Sequence, residues 1–280
     1  MVIILLRRKL KALLEQADPD SAVFETEQLI KWVTGGSSLF MPPDSEVNEE
    51  AAQRAIEAAQ RRIKGEPLQY IIGEWDFYGL TFKVGEGVLI PRPETELLVE
   101  TALNELPDNG KIIDLCSGSG CIPIAIAKNA DCRCWGIEIS DKALEYFREN
   151  IIVNDASDSV TAFKGDILNP DGELMAALPD KCDIITANPP YLTAKEMSNL
   201  QKEVRHEPET ALFGGTDGLD FYRRIFSLWK DKLSIRGSFI VEVGDKQAES
   251  VAEIMKNEGL RTQIFSDLNN IKRTILGRTA

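Results

Sequence analysis

Residues 111–129, KIIDLCSGSGCIPIAIAKN, place an apolar run, a glycine-containing turn and a second apolar stretch directly after one another. The run from Lys111 to Cys116 is typical of a buried strand, and CIPIAIAKN is typical of a helix. Gly118 and Gly120 permit a tight turn between them, where the backbone can pass close to a ligand. The stretch therefore predicts a strand, a loop and a helix of an α/β sheet. By itself, such a loop could hold a dinucleotide or a phosphate, or form only a turn.

Strand-like runs alternate with helical stretches from Lys111 onward. The runs are KIIDLC, CRCWGIEI, VTAFKGDI, CDIITAN, GSFIVEV, TQIFSD and RTILGR. This alternation is typical of a parallel sheet covered by helices. We therefore predict that residues 91–280 form an α/β domain.

The first 90 residues have a different character. Apolar residues at helical spacing predict helices near 4–16, 21–34 and 48–64, the last with Asn48 as its N-cap. Aromatic and β-branched residues interrupted by glycines predict a β-hairpin within 74–90. We expect residues 1–73 to be a small helical domain that helps to dock a partner, and residues 74–90 to be a linker.

Charge and hydropathy argue against two classes of partner. Lys and Arg total 32 against 45 Asp and Glu, which gives a net charge of −13. Residues 1–74 hold 9 basic and 12 acidic groups, so no basic segment is set apart to bind a phosphate chain. No apolar run approaches the roughly 20 residues that a membrane helix requires. We therefore expect no direct nucleic-acid binding and no membrane association.

Five cysteines, an odd number, are scattered through probable core segments. This usage is typical of a reducing compartment and predicts a cytoplasmic protein. Cys132 and Cys134 share one face of a predicted strand, but no further ligands lie nearby in the sequence, so no metal site is predicted. The single histidine, His206, has no obvious nucleophile partner in the sequence, which argues against a histidine-dependent hydrolase.

Four polar residues, Asp114, Glu138, Asp166 and Asn188, end four successive predicted strands. They are separated by 24, 28 and 22 residues, and each interval has room for one strand, one helix and a return loop. All four should therefore lie at one edge of the sheet, where open α/β sheets bind ligands.

Two of these acids suit an adenosine. A carboxylate at Glu138 can accept hydrogen bonds from both ribose hydroxyls, and one at Asp166 can accept a hydrogen bond from the adenine amino group. Ile139 and Ile167, which follow the two acids, could sandwich the adenine ring. These contacts would bind an adenosine whether or not the ligand carries a phosphate.

The tetrapeptide Asn188-Pro189-Pro190-Tyr191 suits a planar NH₂ group. Its two prolines stop the strand and stiffen the backbone. The Asn188 side-chain oxygen and the Pro189 carbonyl can then accept both NH₂ hydrogens, while Tyr191 stacks on the plane. Amides and exocyclic amines are poor nucleophiles, and such a frame aims their lone pair at an electrophilic methyl group. The motif therefore predicts methyl transfer to nitrogen.

DLCSGSG, GIEIS, GDI and NPPY, in this order, resemble the class I S-adenosylmethionine-dependent methyltransferases that modify planar nitrogens. GEWDFYGLTFKV, VLIPRPETE and EVRHEPETALFGGTDGLDFYRRI are similar, more narrowly, to the release factor glutamine methyltransferases, the PrmC/HemK family. The resemblance runs from about Gly65 to the C-terminus, and is looser in the helical part. It implies a Rossmann-like sheet of seven strands, mostly parallel, with a C-terminal antiparallel hairpin.

The resemblance also implies an activity and a set of roles. The acceptor would be the side-chain amide of the glutamine in the Gly-Gly-Gln motif of class 1 peptide chain release factors, and the cofactor S-adenosylmethionine. Cofactor-binding positions would be Cys116, Ser117, Gly118, Ser119, Gly120, Glu138, Asp166, Ile167 and Asn188. Asn188, Pro189, Pro190 and Tyr191 would bind the glutamine, with Asn188, Pro189 and Tyr191 as catalytic residues. Arg92, Glu94 and Thr95 are further candidates near the site, although Arg92 could equally form a surface ion pair and Thr95 a helix cap.

One residue departs from the common form of the family. Cys116 stands where many relatives have glycine, so the backbone there must tolerate a β-carbon. Two other functions remain open at this point: a DNA or RNA amino-methyltransferase that uses the same NPPY frame, and a non-catalytic cofactor-binding adaptor. The net charge of −13 argues against the first, and an apparently complete NPPY argues against the second.

Overall fold

The computed structural model describes residues 1–36 and 40–279. A first compact unit spans Met1–Glu74 together with Gln201–His206. Its helices are α1 (Ile3–Leu14), α2 (Ala22–Thr34), α3 (Glu49–Ile63) and α4 (Leu68–Ile72). The first three lie within two residues of the predicted helices, while the short α4 was not predicted.

Leucines at helical spacing form the core of this unit. Leu6, Leu10 and Leu14 of α1 are fully buried. Asn48 caps α3 as predicted, because its side-chain oxygen accepts a hydrogen bond from the Ala51 N–H at 2.6 Å. Arg62, near the end of α3, lies 3.0 Å from the buried Glu25 carboxylate.

The segment Gln201–His206 belongs to the same compact unit despite its distance along the chain. Its Glu203 carboxylate lies 3.4 Å from the Arg62 guanidinium, beside the Arg62–Glu25 pair. A contact between residues 141 positions apart leaves no periodic pattern, so the sequence offers no signal for it.

The second compact unit spans Trp75–Leu200 and Glu207–Ala280. Its helices are α5 (Glu96–Glu105), α6 (Cys121–Asn129), α7 (Asp141–Val153), α8 (Gly172–Ala177), α9 (Ala194–Met197), α10 (Asp220–Trp229) and α11 (Ala248–Asn257). A hairpin of β1 (Glu74–Phe77) and β2 (Leu80–Lys83) precedes the main sheet. The main sheet contains β3 (Gly110–Leu115), β4 (Cys132–Glu138), β5 (Val160–Lys164), β6 (Cys182–Ala187), β7 (Leu233–Glu242), β8 (Arg261–Ser266) and β9 (Lys272–Arg278).

In the described part of the chain the main sheet has seven strands in the order β5-β4-β3-β6-β7-β9-β8. β3 to β7 are parallel, whereas β9 runs antiparallel to both β7 and β8. The predicted fold class is therefore confirmed, including the C-terminal antiparallel hairpin. The chain runs outward from β3 to β5 and then returns to β6 on the other side of β3, which creates the crevice where such sheets bind ligands.

Successive residues of β3 belong to different layers of the core. Ile113 packs in one hydrophobic cluster with Trp229 and Phe239, and Ile112 packs in another with Phe147. A strand buried on both faces is expected to be mostly apolar. Among the buried residues of β3, Asp114 is the polar exception, which makes it a candidate for a specific role.

The hairpin is shorter than the predicted range. Its strands meet through Tyr78 and Gly79, which both have positive φ, 50° and 74°. Two such residues are typical of the tight turn that matches the twist of paired strands. The second strand ends at Lys83, so residues 84–90 continue as a loop.

No helix within residues 1–36 and 40–279 combines the length and apolar character needed to cross a bilayer.

Candidate active site

A cavity of about 430 Å³ lies at the carboxyl ends of the central strands. Its wall includes loop residues that follow β3, β4, β5 and β6 in turn: Cys116 and Gly118, Ile139 and Ser140, Asp166 to Leu168, and Asn188 with Pro190. The volume lies in the range of small-molecule sites. The parallel register brings these loops together, because Leu115 of β3 is level with Ile137 of β4 and with Ala187 of β6.

Glu138 ends β4 at the cavity, with only 8% of its surface exposed. Its carboxylate accepts hydrogen bonds from the Gly118 N–H at 2.8 Å and the Ser140 N–H at 2.7 Å. Burial raises the pKa of Glu138, and these backbone donors oppose the shift. Each carboxylate oxygen has a second lone pair, so the group can still accept from ligand hydroxyls.

Two glycines near the predicted cofactor loop are required by close packing. A β-carbon on Gly120, which has a φ of +80°, would meet the Phe147 ring at 2.0 Å. A β-carbon on Gly136 of β4 would meet the same ring at 2.4 Å. Phe147 of α7 therefore holds the loop against the sheet, and only glycine fits at these two positions.

Cys116 tolerates a conformation that favours glycine. Its φ is +61°, in the left-handed region. Burial raises the pKa of its thiol well above the ordinary value, which argues against a reactive thiolate. The side chain packs against the apolar core, so it acts as a space-filling group on the cavity wall.

Asp166 lies in the loop after β5, because that strand ends at Lys164 and not at the predicted Ile167. Its two oxygens accept hydrogen bonds from the Leu168 N–H at 2.8 Å and from the Asn169 side chain at 3.1 Å. Ile167 is buried, whereas 54% of Ile139 is exposed. Asp166, Ile167 and Ile139 all line the cavity.

Asn188 follows β6 and is half-buried at the cavity. Its side-chain nitrogen Nδ2 donates a hydrogen bond to Thr95 Oγ1 at 3.3 Å. An amide that donates in this direction leaves its oxygen, Oδ1, to accept from a ligand. Pro190 also lines the cavity.

Several predicted site residues do not line the cavity. Among the described residues, the lining does not include Ser117, Ser119, Gly120, Pro189 or Tyr191. Ser117 supports the loop through its hydroxyl, which donates to the Asp114 carbonyl at 3.1 Å. The Tyr191 carbonyl accepts from Gln247 Nε2 at 2.9 Å. The roles assigned to these five residues stay predictions.

Arg92, Glu94 and Thr95 also lie outside the described cavity lining. Arg92 forms an ion pair with Glu207, but that carboxylate is buried, so this is not the surface ion pair that the sequence left open. Thr95 stands at the N-cap position of α5 but its side chain makes no capping hydrogen bond. Its hydroxyl donates instead to Glu242 Oε2 at 2.5 Å. Glu94 is half-buried in the 3₁₀ turn Pro93–Thr95.

Asp114 was expected at the ligand-binding edge but is fully buried beside it. Oδ1 accepts a hydrogen bond from the Thr186 hydroxyl at 2.6 Å, whereas Oδ2 is a buried oxygen without a partner among the described residues. Burial raises the pKa of Asp114 to about 7. A polar group in this state commonly marks a functional site.

No role was predicted from the sequence for several further residues of the cavity wall. They come from two segments far apart in the chain and from α10: Gly87, Leu89, Pro208, Glu209, Thr210, Ala211, Phe213 and Phe221. Glu207 joins the two segments, since its carboxylate accepts from the Ile90 N–H at 3.1 Å and pairs with Arg92. The sequence signal for these residues was the pair of family-specific motifs VLIPRPETE and RHEPETAL, which had not been assigned to the cavity wall.

Two family models match the chain. Residues 6–73 match the PrmC N-terminal domain, and residues 93–215 match the methyltransferase small domain. A solved methyltransferase from Pyrococcus furiosus shares the fold, with a TM-score of 0.55 and 16% identity over 73% of this chain and 91% of that chain.

Relatives that match over most of their length give a narrower assignment. The release factor glutamine methyltransferase of Thermodesulfovibrio yellowstonii is 43% identical over 82% of this chain and 83% of its own. The one from Geobacter sulfurreducens is 38% identical over 92% of this chain and 90% of its own. Identity and coverage at these levels show that the proteins share one family, so this chain belongs to the release factor glutamine methyltransferase family.

Proposed function

We propose that this protein transfers a methyl group from S-adenosylmethionine to the side-chain amide nitrogen of the glutamine in the Gly-Gly-Gln motif of class 1 peptide chain release factors. The observation that carries the proposal is the position of Asn188. It lines the same cavity as Glu138 and Asp166, and its Nδ2 donates a hydrogen bond to Thr95 Oγ1. The reaction would take place in the cytoplasm, where translation ends.

The residues around the cavity fit this cofactor. Glu138 offers acceptors for ribose hydroxyls, Asp166 offers one for the adenine amino group, and Ile139 and Ile167 offer apolar surface for the ring. The loop from Cys116 to Gly120 would hold the methionine part, and the unpartnered Asp114 Oδ2 beside it suits a cationic group. S-adenosylmethionine would supply a methyl group on a positively charged sulfur, which is electrophilic without help from an acid.

The protein's contribution is to position the acceptor. Asn188 Oδ1 and the Pro189 carbonyl would accept the two amide hydrogens, and Tyr191 would support the amide plane. Holding both hydrogens directs the nitrogen lone pair toward the methyl group, and alignment of this kind can lower a barrier by about 7–11 kcal/mol. The methylated nitrogen is acidic, so its proton can leave to water and no strong base is required.

A radiolabelled methyl-transfer assay tests this proposal. Release factor, tRNA, rRNA and DNA would each be offered with labelled cofactor, followed by mass spectrometry of the Gly-Gly-Gln peptide. We expect the label on that glutamine. Label that enters only nucleic acid would contradict the proposal in favour of a base methyltransferase, and cofactor binding without turnover would favour an adaptor.

Asn188→Ala tests the role of the motif within the same assay. We expect turnover to fall sharply while cofactor affinity, measured by calorimetry, stays nearly unchanged. Asn199→Ala is the matched control, because Asn199 is exposed and its side-chain amide donates to the Lys195 carbonyl of the same helical turn. Equal losses of affinity and turnover in Asn188→Ala would count against this role.

A further inference from the structure

Glu242, the last residue of β7, is a buried acid that the proposed reaction does not use. Only 3% of its surface is exposed. Its Oε2 accepts the Thr95 hydroxyl at 2.5 Å across 147 positions of sequence. Thr95 is 2% exposed and makes no helix cap, so this contact does not serve to start α5.

Thr95 also contacts the proposed catalytic amide. Its oxygen accepts a hydrogen bond from Asn188 Nδ2 at 3.3 Å. A hydroxyl has a single hydrogen, and here that hydrogen is donated to Glu242. The lone pairs of Thr95 therefore face Asn188, and the only amide orientation that bonds to them is the one with Nδ2 toward Thr95.

The direction of the hydrogen bonds from Asn188 through Thr95 depends on Glu242, the last group in the series. An ionised carboxylate can only accept, so it fixes the Thr95 hydrogen on its own side. A group that can also donate, such as an amide or a protonated acid, allows the Thr95 hydrogen to turn toward Asn188. Asn188 would then present Oδ1 to Thr95 and its NH₂ to the cavity, where it could not accept an amide hydrogen.

We propose that Glu242 is a positioning residue that, directly and through Thr95, holds the Asn188 amide with its oxygen toward the acceptor. This inference rests on the proposed function, since it assigns Asn188 Oδ1 to the substrate amide. Glu242 itself touches neither substrate nor cofactor in this role.

The surroundings of Glu242 add a pH dependence. Burial raises the pKa of Glu242 to about 7, while the side-chain hydrogen bonds of Thr95 and Asn188 and the charge of Arg273 oppose the shift. The other titratable or charged groups that interact with it are Glu94, Cys121, Tyr191 and Tyr222. Below about pH 7 the protonated acid loses its acceptor-only character, so the held orientation of Asn188 should weaken.

The first test does not depend on activity. The side-chain NH₂ signals of Asn188 in a ¹H–¹⁵N spectrum, assigned by their loss in Asn188→Ala, should shift with pH around 7. The shift should be absent in Glu242→Gln and reduced in Thr95→Val. Asn188 signals that do not change with pH in the wild type, or that change equally in Glu242→Gln, would overturn the inference whatever the enzyme's substrate is.

The second test uses turnover of the release factor. Glu242→Gln and Thr95→Val should lower kcat about tenfold and leave cofactor affinity unchanged, while Thr95→Ser, which keeps the hydroxyl, should retain most of kcat. Glu253→Gln and Thr161→Val are the matched controls, because both residues are exposed. Unchanged cofactor affinity also shows that the variants are folded.

A double-mutant cycle separates positioning from general support. If Glu242 acts through Asn188, then Glu242→Gln should cause no further loss in an Asn188→Ala background. The same fold loss in both backgrounds, or wild-type kcat in Glu242→Gln, would contradict the inference alone. A wild-type enzyme that labels no release factor would contradict the proposed function, and the pH titration of the Asn188 signals would still decide the inference.

Discussion

Asn150 of α7 and Lys83 of β2 exchange two hydrogen bonds. The Lys83 N–H donates to Asn150 Oδ1 at 2.6 Å, and Asn150 Nδ2 donates to the Lys83 carbonyl at 3.0 Å. The same Nδ2 donates to the Ser119 carbonyl at 2.9 Å. One fully buried amide thus ties the hairpin to the predicted cofactor loop.

Asn150→Ala should therefore lower both stability and cofactor affinity. The change removes three hydrogen bonds that Asn150 makes with backbone groups of Lys83 and Ser119, and a buried polar group left unsatisfied costs about 1–3 kcal/mol. Urea unfolding and calorimetric titration with cofactor would measure the two effects. Asn129→Ala, at an exposed position at the end of α6, is the control and should change neither value appreciably. Unaltered cofactor affinity in Asn150→Ala would show that the loop holds its shape without this amide.

The Arg92–Glu207 pair should respond unequally to loss of its two members. The Glu207 side chain is 1% exposed and that of Arg92 is 32% exposed. Arg92→Ala leaves a carboxylate buried without its cation and should cost about 1–3 kcal/mol of unfolding free energy. Glu207→Gln should cost less, because Gln can still accept from the Ile90 N–H and the arginine can turn toward water.

Urea unfolding of both variants and of the double variant would check this order. The double variant should recover part of the loss of Arg92→Ala. Arg223→Ala, which breaks an exposed pair with Asp217, should stay within about 0.5 kcal/mol of the wild type. A larger cost for Glu207→Gln than for Arg92→Ala would contradict the explanation from burial.

Gly214→Ala should lower turnover by displacing the NPPY segment. A β-carbon at Gly214 would lie 2.6 Å from both the Pro190 carbonyl oxygen and Tyr191 Cα, which are backbone atoms that cannot rotate away. A displacement near 1 Å at a catalytic group can cost about a hundredfold in rate. Steady-state kinetics would measure the loss. Gly172→Ala is the matched control, since nothing lies within 4 Å of its β-carbon, and normal turnover in Gly214→Ala would refute this packing argument.

Asp114 should make stability fall as pH rises toward 7. Burial raises the pKa of the folded protein's Asp114 from 3.8 to about 7, so between these values the folded state binds a proton that the unfolded state has lost. The stabilisation is complete below the unfolded pKa and is lost as pH rises through the folded pKa. Asp114→Asn keeps an acceptor for Thr186 but cannot ionise.

The wild type should thus lose stability relative to Asp114→Asn between about pH 4 and pH 7, by at most about 1.4 kcal/mol per pH unit. Urea unfolding at several pH values would provide this difference. Asp158→Asn, at an exposed position, should show no such trend. A constant difference between wild type and Asp114→Asn would mean that Asp114 is ionised throughout.

Local sequence patterns were sufficient to predict most of the secondary structure. Apolar periodicity located α1, α2, α3 and the seven sheet strands, because a helix or strand must place its apolar side chains on the buried face. Apolar periodicity was insufficient to predict the ends of strands where other contacts set the boundary. The hairpin ends at Lys83 and β5 ends at Lys164, where strand pairing stops although the residues that follow remain compatible with a strand.

The sequence by itself determined the α/β class, the glycine loop and the arrival of Glu138, Asp166 and Asn188 at one cavity, because parallel strands deliver their carboxyl ends to the same edge. Tertiary structure alone decided that Asp114 turns inward, that Arg92 pairs with Glu207 and that Thr95 links Asn188 to Glu242. These groups lie far apart in the chain and follow no period. Their partners are chosen by burial, since a polar group removed from water must bond to whichever group the packed sheet places beside it.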